Sequence, residues 1–110
     1  MAAPERGDLV WISFSPQAGR EQAGRRPALV LSPRAYHQQT DFAVVCPITN
    51  TIKGYPFEVL LPEGLAIGGV VLADQIKSID CHARKVEIAG RAPEAVIDAV
   101  VGKVSALLTG

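Results

Sequence analysis

Apolar residues in this chain alternate or gather in short runs along most of its length, and only the tail repeats at helical spacing. Over residues 8–14, Leu9, Trp11 and Ser13 alternate with Val10, Ile12 and Phe14, which predicts a strand with apolar contacts on both faces. The stretch 15–24, SPQAGREQAG, holds a proline and two glycines and reads as a loop too long for a tight hairpin. Residues 28–31 predict a second strand that Pro33 ends, and 34–39 predict one short helical turn before Thr40 and Asp41. The run 42–48, FAVVCPI, predicts a third strand, and Pro47, which cannot donate to a ladder, puts it near an edge or a strand end. KGYP at 53–56 predicts a turn before a strand over 57–61, and PEGLAIGG a second loop. Further short strands are expected over 70–73, 76–79 and 84–88.

Residues 93–108 predict the one long helix, with Pro93 at its first position and Glu94 in its first turn. Val96, Val100, Val104 and Leu107 form its apolar stripe, which Ile97, Val101 and Leu108 widen, so the helix is expected to cover its own sheet. The fold class is therefore mainly β with a C-terminal helix (α+β). Six or seven short antiparallel strands curl into a small barrel, one domain spanning 1–110.

Composition narrows the choice of partner. The chain has 110 residues, 48% of them hydrophobic, and its 11 basic and 11 acidic side chains cancel. A polyanion must then be recognised by a local patch, and Arg20, Arg25, Arg26 and Arg34 against Glu21 supply one. Cys46 and Cys81 lack Cys-x-x-Cys spacing and read as free thiols of a reducing compartment; with His37 and His82 they suggest no metal site. The start MAAPERGDLV lacks a secretory pattern and no run of about 18 apolar residues occurs, so the cytosol is the expected location.

Arg26 and Thr49 each stand at a strand boundary, where a side chain leaves the core. Together, a guanidinium and a hydroxyl could hold the non-bridging oxygens of a phosphodiester, where charge grows in the transition state. RNA carries its own nucleophile in the ribose 2′-OH, so cleavage of this kind needs no cofactor. Arginine stays protonated, which suits Arg26 to charge stabilisation and not to proton acceptance. Glu21 is the nearby carboxylate, readable either as the proton acceptor or as an exposed helper of arginine orientation. Gln75 and Lys77 offer amide and charge groups to unstacked bases, and Tyr55, Phe57 and Trp11 offer stacking surfaces. Each also has a plain reading: a turn threonine, a solvated arginine doublet, a hydrophilic Asp-Gln turn, core aromatics.

Four ordered strings resolve this choice: GDLVWISFSP, EQAGRRPALVLSP, VCPIT with KGYPFEVLLP, and VLADQIKSID. Through them the chain resembles the MazF/PemK toxins of type II toxin–antitoxin modules, from about residue 7 to 109. The resemblance implies a homodimer of SH3-like barrels that cleaves single-stranded RNA at short sequences without metal or other cofactor. The partner it implies is a MazE-like antitoxin with an acidic, flexible tail. Arg26 matches the family's catalytic arginine and Thr49 its catalytic threonine, while Glu21 and Gln22 match its mobile loop. Lys53, Gln75 and Lys77 match positions lining the RNA groove, and Arg25 adds a charge beside them. Asn50 and Ile52 depart from the small polar residues usual around Thr49, a difference bearing on base preference. The rival reading is a CcdB-like, non-enzymatic toxin that poisons DNA gyrase; that group uses an aromatic C-terminal tip, whereas this chain ends Leu107-Leu108-Thr109-Gly110.

Overall fold

The computed structural model describes residues 3–13 and 24–110. Among the described residues seven strands form one antiparallel system: β1 (Asp8–Ser13), β2 (Arg25–Val30), β3 (Phe42–Thr49), β4 (Glu58–Leu60), β5 (Val70–Leu72), β6 (Lys77–Asp80) and β7 (Glu87–Arg91). Helix α1 (Arg34–Thr40) joins β2 to β3, a 3-10 turn (Ala73–Gln75) joins β5 to β6, and α2 (Glu94–Thr109) ends the chain. The strand order is β4-β5-β3-β2-β1-β7, with β6 paired to β3 beside β5. Among the described residues β4 and β7 are not paired to each other, so the expected barrel is a strongly curled sheet left open.

The curl comes from β3. One of its edges pairs with β2 over Val45 to Pro47, while the other is divided, Phe42 to Val45 facing β6 and Ile48 and Thr49 facing β5. Pro47 sits at the division, where that second edge has no partner. Of the two expected positions for Pro47, an edge or a strand end, the edge does not hold, because β3 is central; the proline lies two residues from the strand's end, at a break in the ladder where a missing N–H costs no pairing.

Strand alternation builds two cores. Leu9, Leu29, Cys46, Ile48 and Val71 point to one face, where Val96, Ile97, Val100 and Val104 of α2 cover them. Val10, Ile12, Ala28, Val30, Val45 and Ile79 fill the other face. The helix covers its own sheet as its period predicts, but Val101, Leu107 and Leu108 remain 38%, 43% and 72% exposed because they flank or overrun the covered stripe. Pro93 is the N-cap and not the first helical residue. The last strand lies at Glu87–Arg91, later than 84–88, because 81–85 form turns in which Lys85 takes φ 49°. Near the sheet's far end, buried His37 bonds Ser32 Oγ at 2.6 Å through Nε2 and Pro4 O at 2.8 Å through Nδ1, tying the N-terminal segment to α1.

Candidate active site

The second core face ends in polar residues, and register explains which. Ala28 faces Pro47 across β2 and β3, so the same register extended by two residues sets Arg26 opposite Thr49. Ile12 faces Arg26 from β1, and Lys77 faces Val45 from β6. With side chains alternating at period two, Ile12, Arg26, Thr49 and Lys77 all emerge on one face. There they line a cleft of about 410 Å³, with Pro27, Ala28, Pro47, Ile48, Leu72 and Gln75 completing its wall. Two prolines and the aliphatic residues give this cleft a stiff, apolar floor beneath its cationic and amide groups. Such a floor raises the strength of any charge interaction made above it.

Arg26 is exposed, lines the cleft and forms no ion pair among the described residues. Thr49 Oγ1 accepts the Thr51 N–H at 3.1 Å, which fixes the side chain while leaving its own O–H to donate. The backbone behind Thr49 is crowded on one side. Gly69, at φ +112°, lies so close that a Cβ there would sit 2.3 Å from Thr49 O, and only glycine fits. Gln75 reaches the cleft because Ala73 is fully buried and its N–H donates to Phe57 O at 3.0 Å, which turns Asp74 and Gln75 outward.

The remaining expected residues are placed differently. Arg25, one step along β2, belongs to the opposite face. Its guanidinium lies 5.5 Å from the Trp11 ring centroid and is ion-paired with Glu87, and it does not line the cleft with Arg26. Lys53 lies outside the cleft lining, on the segment between β3 and β4, with Nζ 5.8 Å from the Tyr55 ring centroid. Glu21 and Gln22 lie outside the described residues. Sequence reasoning missed the apolar wall of Pro27, Pro47 and Leu72, although Pro27 and Pro47 flank the two catalytic candidates closely enough to have signalled it. It also missed the Glu87 and Trp11 grip on Arg25, which only the β1–β7 pairing of Trp11 with Glu87 brings about.

Cys46 is buried and its thiol is pushed up to about 12, by burial first and by Asp74 second. Cys81 is pushed up by burial, then by Asp80 and Asp41. Both are therefore poor nucleophiles at neutral pH. Among the described residues no three His, Cys, Asp or Glu side chains gather as metal ligands, and no helix is long and apolar enough to cross a membrane.

The sequence profile described as PemK-like, MazF-like toxin of type II toxin-antitoxin system matches residues 5–108. The chain is 44% identical over 105 residues to the endoribonuclease toxin MazF of Escherichia coli K12, covering 96% of this chain and 94% of that one. It is 38% identical over 109 residues to the Escherichia coli endoribonuclease PemK, covering 96% and 82%. Among solved structures, a MazE–MazF crystal structure from Deinococcus radiodurans superposes with a TM-score of 0.93 at 52% identity, covering 97% of this chain and 96% of that one. A profile match across nearly the whole length, with relatives this similar in sequence and fold, shows that the chain belongs to the PemK/MazF-like toxin family of type II toxin–antitoxin systems, whose matched curated members are endoribonucleases.

Proposed function

We propose that the endoribonuclease activity this chain shares with its family is metal-independent, sequence-specific cleavage of single-stranded RNA, messenger RNA above all, by the RNA's own 2′-OH. The observation that carries this reading is the single cleft lined by Arg26, Thr49, Gln75 and Lys77. In the proposed step the ribose 2′-oxygen attacks the adjacent phosphorus, the bond from phosphorus to the 5′-oxygen breaks, and the products are a 2′,3′-cyclic phosphate and a 5′-OH. Arg26 and the Thr49 hydroxyl hold the non-bridging oxygens while negative charge accumulates on them. The 2′-OH proton passes to a base, for which Glu21 is the candidate carboxylate, and the departing 5′-oxygen takes a proton from water while Arg26 stays protonated. Gln75 and Lys77 read and hold the flanking nucleotides, with Lys53 extending the path and Gln22 a further candidate contact.

The same reading includes a homodimer, a MazE-like antitoxin whose acidic flexible tail folds onto the basic groove, and a cytoplasmic site of action. Support for the antitoxin comes from the Deinococcus radiodurans relatives, which were crystallised as MazE–MazF. Purified protein incubated in EDTA with mixed-sequence RNA tests the chemistry. Cyclic-phosphate ends are expected, with no cutting where the scissile ribose is 2′-deoxy. Cutting of that deoxy substrate, or intact RNA alongside inhibited gyrase supercoiling, refutes it.

A further inference from the structure

One carboxylate folds the segment between β3 and β4. Glu58 Oε1 accepts the Gly54 N–H at 2.9 Å and the Lys53 N–H at 3.3 Å, and its Oε2 accepts the Lys53 N–H at 3.1 Å. Two consecutive backbone amides converging on one anion form a nest, and this one needs Gly54 at φ +81°. Other bonds tie the segment down: Glu58 N–H donates to Tyr55 O at 3.1 Å, and Lys103 Nζ donates to Pro56 O at 2.5 Å.

These bonds leave Lys53 and Tyr55 facing outward as a unit, the ammonium 5.8 Å from the ring centroid and Tyr55 56% exposed. The segment starts at Thr49, and it ends where Glu58 faces Leu72 across β4 and β5. Both Thr49 and Leu72 line the cleft. With the ammonium over one face of the exposed ring, an unpaired base can stack on the other while the cation meets a phosphate. A carboxylate near an RNA path repels phosphate, and here the two amides hold it against the protein's own backbone.

We propose that Glu58 is a positioning residue for RNA: it locks residues 53–55 so that Tyr55 stacks a base and Lys53 neutralises a phosphate beside the cleft mouth. This rests on the RNA-cleaving reading above and adds to it a residue that touches no substrate. Glu58→Gln keeps the shape but gives up the charge and one of the two acceptor oxygens. Gly54→Ala strains the same turn through φ alone, since the space around an added Cβ is open.

The test measures kcat and KM for cleavage, the Kd of an RNA carrying 2′-deoxyribose at the cut, and thermal melting. In both variants KM and Kd should rise roughly fivefold, the size of one ordinary net hydrogen bond, while kcat stays within about twofold. Unchanged KM and Kd in the folded variants overturn the proposal, as does a fall in kcat with KM unchanged, which marks mere loss of folded enzyme. Should Glu58→Gln not fold, the same split in Gly54→Ala decides. Wild-type protein that neither binds nor cuts RNA overturns the cleavage reading itself, whereas wild-type cutting with wild-type-like variants overturns only the role of Glu58.

Discussion

Arg25 and Arg26 are chemically identical neighbours with opposite surroundings. Arg25 is spent on the protein, resting over Trp11 and paired with Glu87. Arg26 faces a cleft shared with Thr49, Gln75 and Lys77. The difference comes from strand geometry alone, because successive side chains on β2 leave opposite faces. A basic doublet that reads as one patch in sequence is thus divided between two faces, one arginine bracing the start of β2 and one lining the cleft. The same split runs along β3, where Cys46 points into the core beneath α2 while Thr49 opens to the cleft.

Arg26→Ala should lower kcat for RNA cleavage by roughly 10³-fold, the upper range for losing one preorganised donor to a developing anion. A loss under tenfold would put Arg26 on a par with its neighbour. Gly69→Ala comes next, since its Cβ would lie 2.3 Å from Thr49 O and must push that backbone aside. It should destabilise the fold by about 2 kcal/mol through the φ +112° strain and the clash. Cleavage should fall with it even at temperatures where melting shows the variant folded.

Arg25→Ala should matter far less. Its ion pair with Glu87 is solvent-exposed, so melting should register about 1 kcal/mol or less and kcat should stay within about threefold. A drop comparable to Arg26→Ala would mean that the bracing face takes part in the reaction. The smallest effect distinguishes the faces by pH. Cys46 has a raised pKa in the folded chain, about 12 against 9.0 for a free thiol, so the folded state keeps a proton the unfolded state has lost. Its contribution is fully present below pH 9.0 and is lost as pH rises towards about 12. A thiol reagent at pH 8 should accordingly label the partly exposed Cys81 before Cys46.

Much of this was legible in the chain because period-two alternation survives in nearly every strand. Leu9, Val10 and Ile12 assign β1 to both cores, and the valines of the tail place α2 on its sheet. That Arg26 and Thr49 leave the core where their strands end was readable because each follows or precedes an apolar run that must be buried. Pairing was not readable. Nothing local to Pro47 says that β3 changes partners there, and nothing local to Arg25 says that Glu87 reaches it from the far end of the sequence. Likewise, the capture of Lys53 and Gly54 by Glu58 depends on a turn geometry that KGYP permits but does not dictate. Register, closure and side-chain partnership arise from contacts distant in sequence, whereas strand identity and face arise from neighbours.

In the proposed mechanism Arg26 and Thr49 act together on one phosphate, and a double-mutant cycle measures that coupling. Single-turnover cleavage rates would be compared for wild type, Arg26→Ala, Thr49→Val and the double variant. Groups acting as a unit are strongly non-additive, so the double variant should be little slower than Arg26→Ala alone. A double variant slowed by the full product of the two single losses would show that the residues work independently, and would contradict the account.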